Sequence, residues 1–222
     1  MTRKTALVTG ASRGIGKAIA NEFEKSGVRL LVPTREELDL LSNRSIDTYL
    51  ETLAEPVDIL VNDAGINRIR DFTVLPDGDL QDTIQINLVG PVRLTRGLIP
   101  GMIQRRHGRI VNIGSIWGVI SKTGRLAYSV SKSGLNAFTR SLAVEVAPYN
   151  ILVNTVAPGY VNTELTRQNN SEQDLQNICR SIPMQRLAEP AEVARLVVFL
   201  CSEQNTYLTG QCLLIDGGYT CQ

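Results

Sequence analysis

Residues 5–16 read TALVTGASRGIG, an apolar strand that runs into a glycine-rich turn and then into a helix. From Ile15 to Lys25 the apolar residues Ile15, Ile19, Ala20 and Phe23 recur at helical spacing, and Ser26-Gly27 stops the helix. A phosphate-cradling loop requires this strand–loop–helix context. Glycines allow a tight turn and close approach of a pyrophosphate, and free N–H groups at the helix start attract its charge. The spacing is Gly10-x-x-x-Gly14-x-Gly16, not the commoner Gly-x-Gly-x-x-Gly. The bare pattern also fits a structural strand-to-helix turn. At the front of a chain that alternates strands with helices, it points to a dinucleotide site.

Outward from that loop, apolar runs and helical patterns alternate, which implies a parallel sheet covered on both faces. Residues 28–32 (VRLLV) form the second strand. Pro33 to Glu37 runs directly into Leu38-Asp39-Leu40, and Ser42 or Asn43 caps a helix ending near Leu53. A crossover between parallel strands needs a dozen or more residues, usually with a helix. The third strand, at 38–40, is therefore expected to be rudimentary, and the helix between the second and third strands missing. Strand 57–61 leads into Asn62-Asp63-Ala64-Gly65, and a long helix is expected over 79–106, bent around Gly90-Pro91. Strand 109–114 ends beside Ser115, and a helix over 125–147 is stopped by Pro148. After a buried strand at 151–156, residues 159–187 form a polar substrate-loop segment with a possible short helix. A helix opens at Glu189-Pro190 and runs to about Cys201, and the last strand is 211–215. No repeat or linker divides residues 1–222, so one domain is expected.

The 222 residues suffice for one α/β domain with a sizeable core. A net charge of +1 without long runs of either sign argues against a nucleic-acid or membrane partner. No stretch approaches the ~18 apolar residues of a membrane span, and the opening MTRKTALVTG reads as a first strand, not a signal peptide. Cys179, Cys201, Cys212 and Cys221 are widely spaced, and His107 is the only histidine. No metal site is expected, and the thiols suit a reducing, cytoplasmic setting. A single histidine in a basic turn also argues against Ser-His-Asp hydrolysis.

Ser115, Tyr128 and Lys132 form a second constellation. On a helix Tyr128 and Lys132 lie on one face, and an ammonium beside a phenol is expected to lower the phenol's pKa towards neutrality. A hydroxyl from Ser115, at the end of a strand, could hydrogen-bond the oxygen that exchanges the proton.

Thr9-Gly10-Ala-Ser-Arg-Gly14-Ile-Gly16, Asn62-Asp-Ala-Gly65, Asn87, Ser115, Tyr128-Ser-Val-Ser-Lys132, Pro158-Gly159 and the closing LTGQCLLIDGG resemble the short-chain dehydrogenase/reductase family, in order and from end to end. The general likeness is to the 3-oxoacyl-carrier-protein-reductase type. The resemblance implies a single doubly wound Rossmann-type domain, NAD(P) as cofactor, and a homotetramer or homodimer. It also implies roles for particular residues. Tyr128 resembles the catalytic acid/base, Lys132 the residue that lowers its pKa and binds the nicotinamide ribose, Ser115 the hydroxyl that orients the substrate carbonyl, and Asn87 the holder of a relay water. Gly10, Ser12, Arg13, Gly14, Ile15 and Gly16 resemble the pyrophosphate loop. Asn62, Ala64 and Gly65 resemble the strand end beside the adenosine ribose, and Asp39 the acid near the adenine amino group. Pro158, Gly159, Val161 and Thr163 resemble the segment that meets the carboxamide. Asp63 departs from the family's usual Asn or other small residue.

Cofactor preference is set at the end of the second strand, where a carboxylate favours NAD and an arginine NADP. Here the chain reads Val32-Pro33-Thr34-Arg35, and Arg13 adds a second cation, so NADP is favoured over NAD. Trp117 and Tyr160 flank the expected substrate site. The polar 159–186 segment leans towards a small hydroxylated substrate such as a sugar. A carrier-protein substrate would want a basic patch, for which Arg105, Arg106, Arg109, Lys122 and Arg125 are candidates. A non-catalytic dinucleotide sensor would have lost the serine, tyrosine or lysine, and all three are present.

Overall fold

A computed structural model describes residues 3–222. The strands are short and apolar because each must lie between two layers of helices, and every residue of β1 (Thr5–Val8), β3 (Ile59–Asn62), β4 (Gly108–Ile113) and β5 (Ile151–Pro158) is buried. With β2 (Arg29–Leu31) and β6 (Cys212–Ile215) they form a six-stranded parallel sheet in the order β2-β1-β3-β4-β5-β6. Alternate side chains go to opposite faces. Ala6 and Val8 pack with Ile19 and Phe23 of α1 (Gly14–Lys25) and with Val193 and Val197 of α8 (Pro190–Cys201). Leu7, Leu60 and Ile110 pack on the other face with Ile46 of α2 (Asn43–Thr52), Leu94 of α4 (Gly90–Arg105) and Ala143 of α5 (Leu126–Val146). The chain leaves β1 first to one side for β2 and later to the other for β3, so the carboxyl ends of β1 and β3 flank a switch point, where open α/β sheets bind ligands.

The expected third strand at 38–40 is absent, and β2 is the sheet's edge. The few residues after β2 are too short for a right-handed crossover, so the chain turns back instead of adding a strand. Both a strand and its preceding helix are therefore missing, and α2 precedes the next strand, β3. Leu38 and Leu40 are still buried, in the core beneath α2 and α4. Gln85 Nε2 donates to the Leu40 carbonyl at 3.0 Å. α2 begins where expected, with the Ser42 hydroxyl accepting from the Ser45 N–H at 3.2 Å. It packs against α4 by setting Leu50 where a Cβ on Gly97 would fall, 2.4 Å away.

The long helix expected over 79–106 is three pieces: α3 (Asp77–Ile84), a π-helical turn at Gln85–Val89, and α4. Pro91 has no N–H to give the carbonyl of Asn87 four residues back, which accounts for the widened turn. The 159–187 segment holds α6 (Glu164–Gln168) and α7 (Glu172–Ser181), more helix than its polar sequence suggests, with α7 opened by a Ser171/Asp174 capping box.

Candidate active site

At the carboxyl ends of β1, β3, β4 and β5 lies a cleft of about 540 Å³. Its floor is the glycine loop. Gly10 and Gly14 have φ of +73° and +56°, which L side chains rarely adopt. A Cβ on Gly10 would stand 2.8 Å from the Ala64 backbone. The Thr9 hydroxyl accepts from the N–H groups of Asp63 and Ala64, both at 3.1 Å, and so ties the end of β1 to the end of β3. Arg13 at the α1 N-cap makes no side-chain cap, so in the first turn only the Gly16 N–H is taken up by a side chain, the Asp63 carboxylate. Gly10, Ser12, Arg13, Gly14 and Ile15 line the cleft beside Ala64 and Gly65. A turn that Gly10 and Gly14 keep open to the backbone, at a helix start, fits a dinucleotide pyrophosphate.

Opposite the loop stand Ser115, Tyr128 and Lys132. Lys132 is 4% exposed. Its ammonium donates to the Ile113 carbonyl at 2.7 Å and lies 5.6 Å from the centre of the Tyr128 ring. Ser115 lies just beyond β4, with its hydroxyl accepting from the Trp117 N–H at 3.2 Å. Electrostatically the group differs from expectation. Burial pushes the Tyr128 phenol up to about 12, against the opposing pull of the Ser115 hydroxyl and the Arg125 cation. Burial also pulls Lys132 down to about 8, although the Asp63 carboxylate favours its charge. Desolvation wins over the lysine's proximity, so the phenol holds its proton at neutrality and is poised as an acid.

Asp63 is the third titrating group. Burial raises its carboxyl to about 7, opposed by Lys132 and by the Gly16 N–H that it accepts. Its charge also raises the Tyr128 phenol and favours the Lys132 ammonium. Ionised Asp63 would stand under the pyrophosphate loop and repel the dinucleotide. As pH rises through about 7 the carboxyl ionises, so cofactor affinity is expected to fall between pH 6 and 8. Asp63→Asn should remove that inflection in a titration of Kd against pH. An unchanged profile in the variant would sink this assignment.

The remaining expected residues divide. Gly16 lies behind the loop, not in the cleft wall. Asn87, 1% exposed in the π turn, accepts from the Ile66 N–H at 2.9 Å and donates to the Ile66 carbonyl at 2.9 Å and to Ser131 at 3.1 Å. It thus clamps the segment after β3. Asn62 points into the protein, donating to Asn112 at 2.8 Å, and Asn112 donates to Thr139 at 2.8 Å. Arg35 and Asp39 sit in the turn beyond β2, outside the cleft, 3.7 Å from each other. Pro158, Gly159, Val161 and Thr163 do line it. A Cβ on Gly159 would meet Asp216 at 2.8 Å, so only glycine fits there against the closing Asp-Gly-Gly turn.

Trp117 and Tyr160 form the far wall and pack edge-to-face with each other and with Tyr219, at centroid distances of 5.6–6.3 Å. Tyr219 was missed from the sequence: it comes from the carboxyl-terminal turn, with no local signal of its partners. Arg125, expected only as a candidate docking base, lines the cleft itself. Its place one helical turn before Tyr128 was the available signal. Of the other candidate docking bases, Arg105, Arg106 and Arg109 sit at the amino end of β4, away from the cleft. Arg105 donates to Val57, and Arg106 to Pro148.

Residues 36–220 match the family model described as enoyl-(acyl carrier protein) reductase, and residues 4–43 match that of short chain dehydrogenase. A 3-oxoacyl-[acyl-carrier-protein] reductase of Aquifex aeolicus is 38% identical, over 97% of this chain and 96% of its own. The oxidoreductase UcpA of Escherichia coli is also 38% identical, over 99% and 95%. Among solved structures, the aldohexose dehydrogenase of Thermoplasma acidophilum superposes with a TM-score of 0.93 at 30% identity, covering 99% of this chain and 95% of that one.

Proposed function

The chain belongs to the short-chain dehydrogenase/reductase family, in its 3-oxoacyl-carrier-protein-reductase-like branch, and is an NAD(P)-dependent oxidoreductase of CH–OH and C=O groups; from that premise we propose that it interconverts a ketone and a secondary alcohol on a small polar metabolite, using NADP(H). The observation that carries this reading is the single cleft in which the glycine cradle faces Ser115, Tyr128 and Lys132. The dinucleotide supplies or takes the hydride. Ser115 orients the substrate oxygen, Tyr128 gives or takes its proton, and Lys132 stabilises the tyrosinate and holds the nicotinamide ribose. Asn87 acts by fixing the 65–66 segment and the start of the relay.

Two features favour NADP. Arg35 has a side chain 77% exposed beyond β2, free to meet a 2′-phosphate, with only a long pairing to Asp39. Glu37, a carboxylate that could have served a ribose hydroxyl, is turned back to accept from the Thr34 N–H at 2.7 Å. A 3-oxoacyl-carrier-protein substrate is the second reading, favoured by the relatives' names. The scattering of Arg105, Arg106 and Arg109 to the opposite end of β4 counts against it. The cytoplasm is the proposed setting, in keeping with four free thiols. A homotetramer, or failing that a homodimer, is proposed because Val130, Ala137 and Val144 leave an apolar stripe exposed along α5. The test is a sweep of ketones and polyols with NADPH, NADH and their oxidised forms, read by nicotinamide absorbance, with the mass of the same preparation read by light scattering. The kcat/KM with NADPH should exceed that with NADH by roughly tenfold or more, the worth of one charge-assisted contact. Faster use of NADH would overturn the cofactor assignment, and a stable monomer the assembly.

A further inference from the structure

Four basic side chains line the cleft: Arg13, Arg68, Arg125 and Lys132. Three have partners. Arg13 stands 3.6 Å from Glu164. Arg68 pairs with Asp79 at 2.7 Å and Asp82 at 2.9 Å. Lys132 donates to the Ile113 carbonyl. Arg125 is only 8% exposed, yet among the described residues its guanidinium has neither a carboxylate nor a hydrogen-bonded partner. Instead it lies over the face of Trp117, 5.9 Å from the ring centre, with the polar edges of Tyr128 and Tyr160 as its electrostatic neighbours.

A nearly buried, uncompensated guanidinium is costly unless something satisfies it. The side chain is stacked and fixed at the N-cap of α5, with its planar fork open to the cleft. A fork held in this way suits a carboxylate, which it can engage through two parallel hydrogen bonds. The cleft's own acids are committed elsewhere, Asp63 to the Gly16 N–H and Glu164 to Arg13.

We propose that Arg125 receives a carboxylate of the substrate, so that the enzyme acts on a short hydroxy or keto carboxylic acid whose reacting carbon faces Tyr128 and Ser115. Three residues along a helix are about 4.5 Å, which places the carboxylate within a few bonds of that carbon. The inference rests on the reaction assigned above and narrows its substrate. The hydroxy acid loses a hydride to the oxidised dinucleotide and a proton to the solvent by way of Tyr128, giving the keto acid and the reduced dinucleotide, and reduction is the reverse.

Trp117 is the chain's only tryptophan and touches Arg125, so its fluorescence reports occupancy directly. In a Tyr128→Phe background with NADP present, which suppresses turnover, 3-hydroxybutyrate, 3-hydroxybutyramide and glycerol 3-phosphate are titrated in turn. The acid should bind at least tenfold tighter than the amide. Arg125→Gln should weaken the acid by roughly 30-fold, the loss expected when one member of a buried charge pair is truncated, while Arg125→Lys keeps part of the affinity. Equal binding of acid and amide, or an Arg125→Gln variant that binds the acid normally, overturns the proposal. Tighter binding of the phosphate ester than of the acid overturns the carboxylate assignment. The acid-to-amide ratio in the Arg125 protein needs no folded Gln variant. A wild-type enzyme that turns over no ketone or alcohol would refute the reaction, while the fluorescence titration would still decide the role of Arg125.

Discussion

Tyr128→Phe is expected to lower kcat about 10³-fold with every substrate the wild type accepts, while Kd for the dinucleotide stays within a few-fold. The substitution removes one oxygen and leaves the ring, its packing and the Lys132 ammonium in place. Neither Ser115 nor Lys132 can replace that oxygen. Ser115 is already hydrogen-bonded to the Trp117 N–H, and an aliphatic hydroxyl is a far weaker acid than a phenol. Lys132 is buried with its ammonium on the Ile113 carbonyl. The magnitude is that of general acid–base catalysis by one positioned group. Because burial holds the phenol near 12, the resting enzyme carries the proton needed to reduce a ketone. In the oxidative direction that proton must first leave, so alcohol oxidation should rise with pH across the range in which ketone reduction stays flat. Stopped-flow rates with deuterated reduced dinucleotide separate the chemical step from release. A variant within tenfold of wild type in that step would remove Tyr128 from the proton path.

Much of the architecture was legible because it depends on pattern. Continuous apolar runs of four to eight residues between glycine-stopped helices have few readings other than a buried parallel sheet. The glycine loop, Ser115, Tyr128 and Lys132 were legible for a related reason: each sits at a strand end or on a helix face whose position the pattern dictates. The segment after β2 was only half legible. Its shortness showed that a helix was lost, but Leu38 and Leu40 look the same in sequence whether they pair in a strand or bury in a turn beneath α4. The three-body electrostatics were not legible at all. The pairing of Tyr128 with Lys132 suggested an acidified phenol, yet the sign of the shift depends on how much water burial removes, and spacing does not encode that. Arg125 was legible as a candidate base near the pocket, but its want of a partner was not, because a guanidinium's partners lie on other elements. The same holds for Asn62 and Asn87, whose side chains could as well have met the cofactor and a relay water as they in fact meet Asn112 and Ile66.

Gly16 carries the second large effect. A Cβ there would stand 2.4 Å from the Gly10 carbonyl oxygen and 2.5 Å from the Asp63 carboxylate, and the first of these is backbone that cannot rotate away. Gly16→Ala must therefore push α1 away from the end of β1 or open the loop. Either movement misaligns the N–H groups of the helix start, and both separate Asp63 from the Gly16 N–H that stabilises its ionised form. Dinucleotide affinity should fall by at least roughly 100-fold, since several N–H contacts to one pyrophosphate are lost together. Overpacking of this kind costs about 1–3 kcal/mol, which in a chain of this size lowers Tm by roughly 3–10 °C. Gly78→Ala, in the first turn of α3, is the control, because a Cβ there meets nothing within 4 Å. Calorimetric titration with NADPH and a thermal melt of both variants read the two effects. If Gly16→Ala binds NADPH like the wild type, the pyrophosphate does not lie in this loop. If affinity is lost but Tm is kept, the loop has opened to take the extra methyl and the packing of α1 on β1 is unchanged.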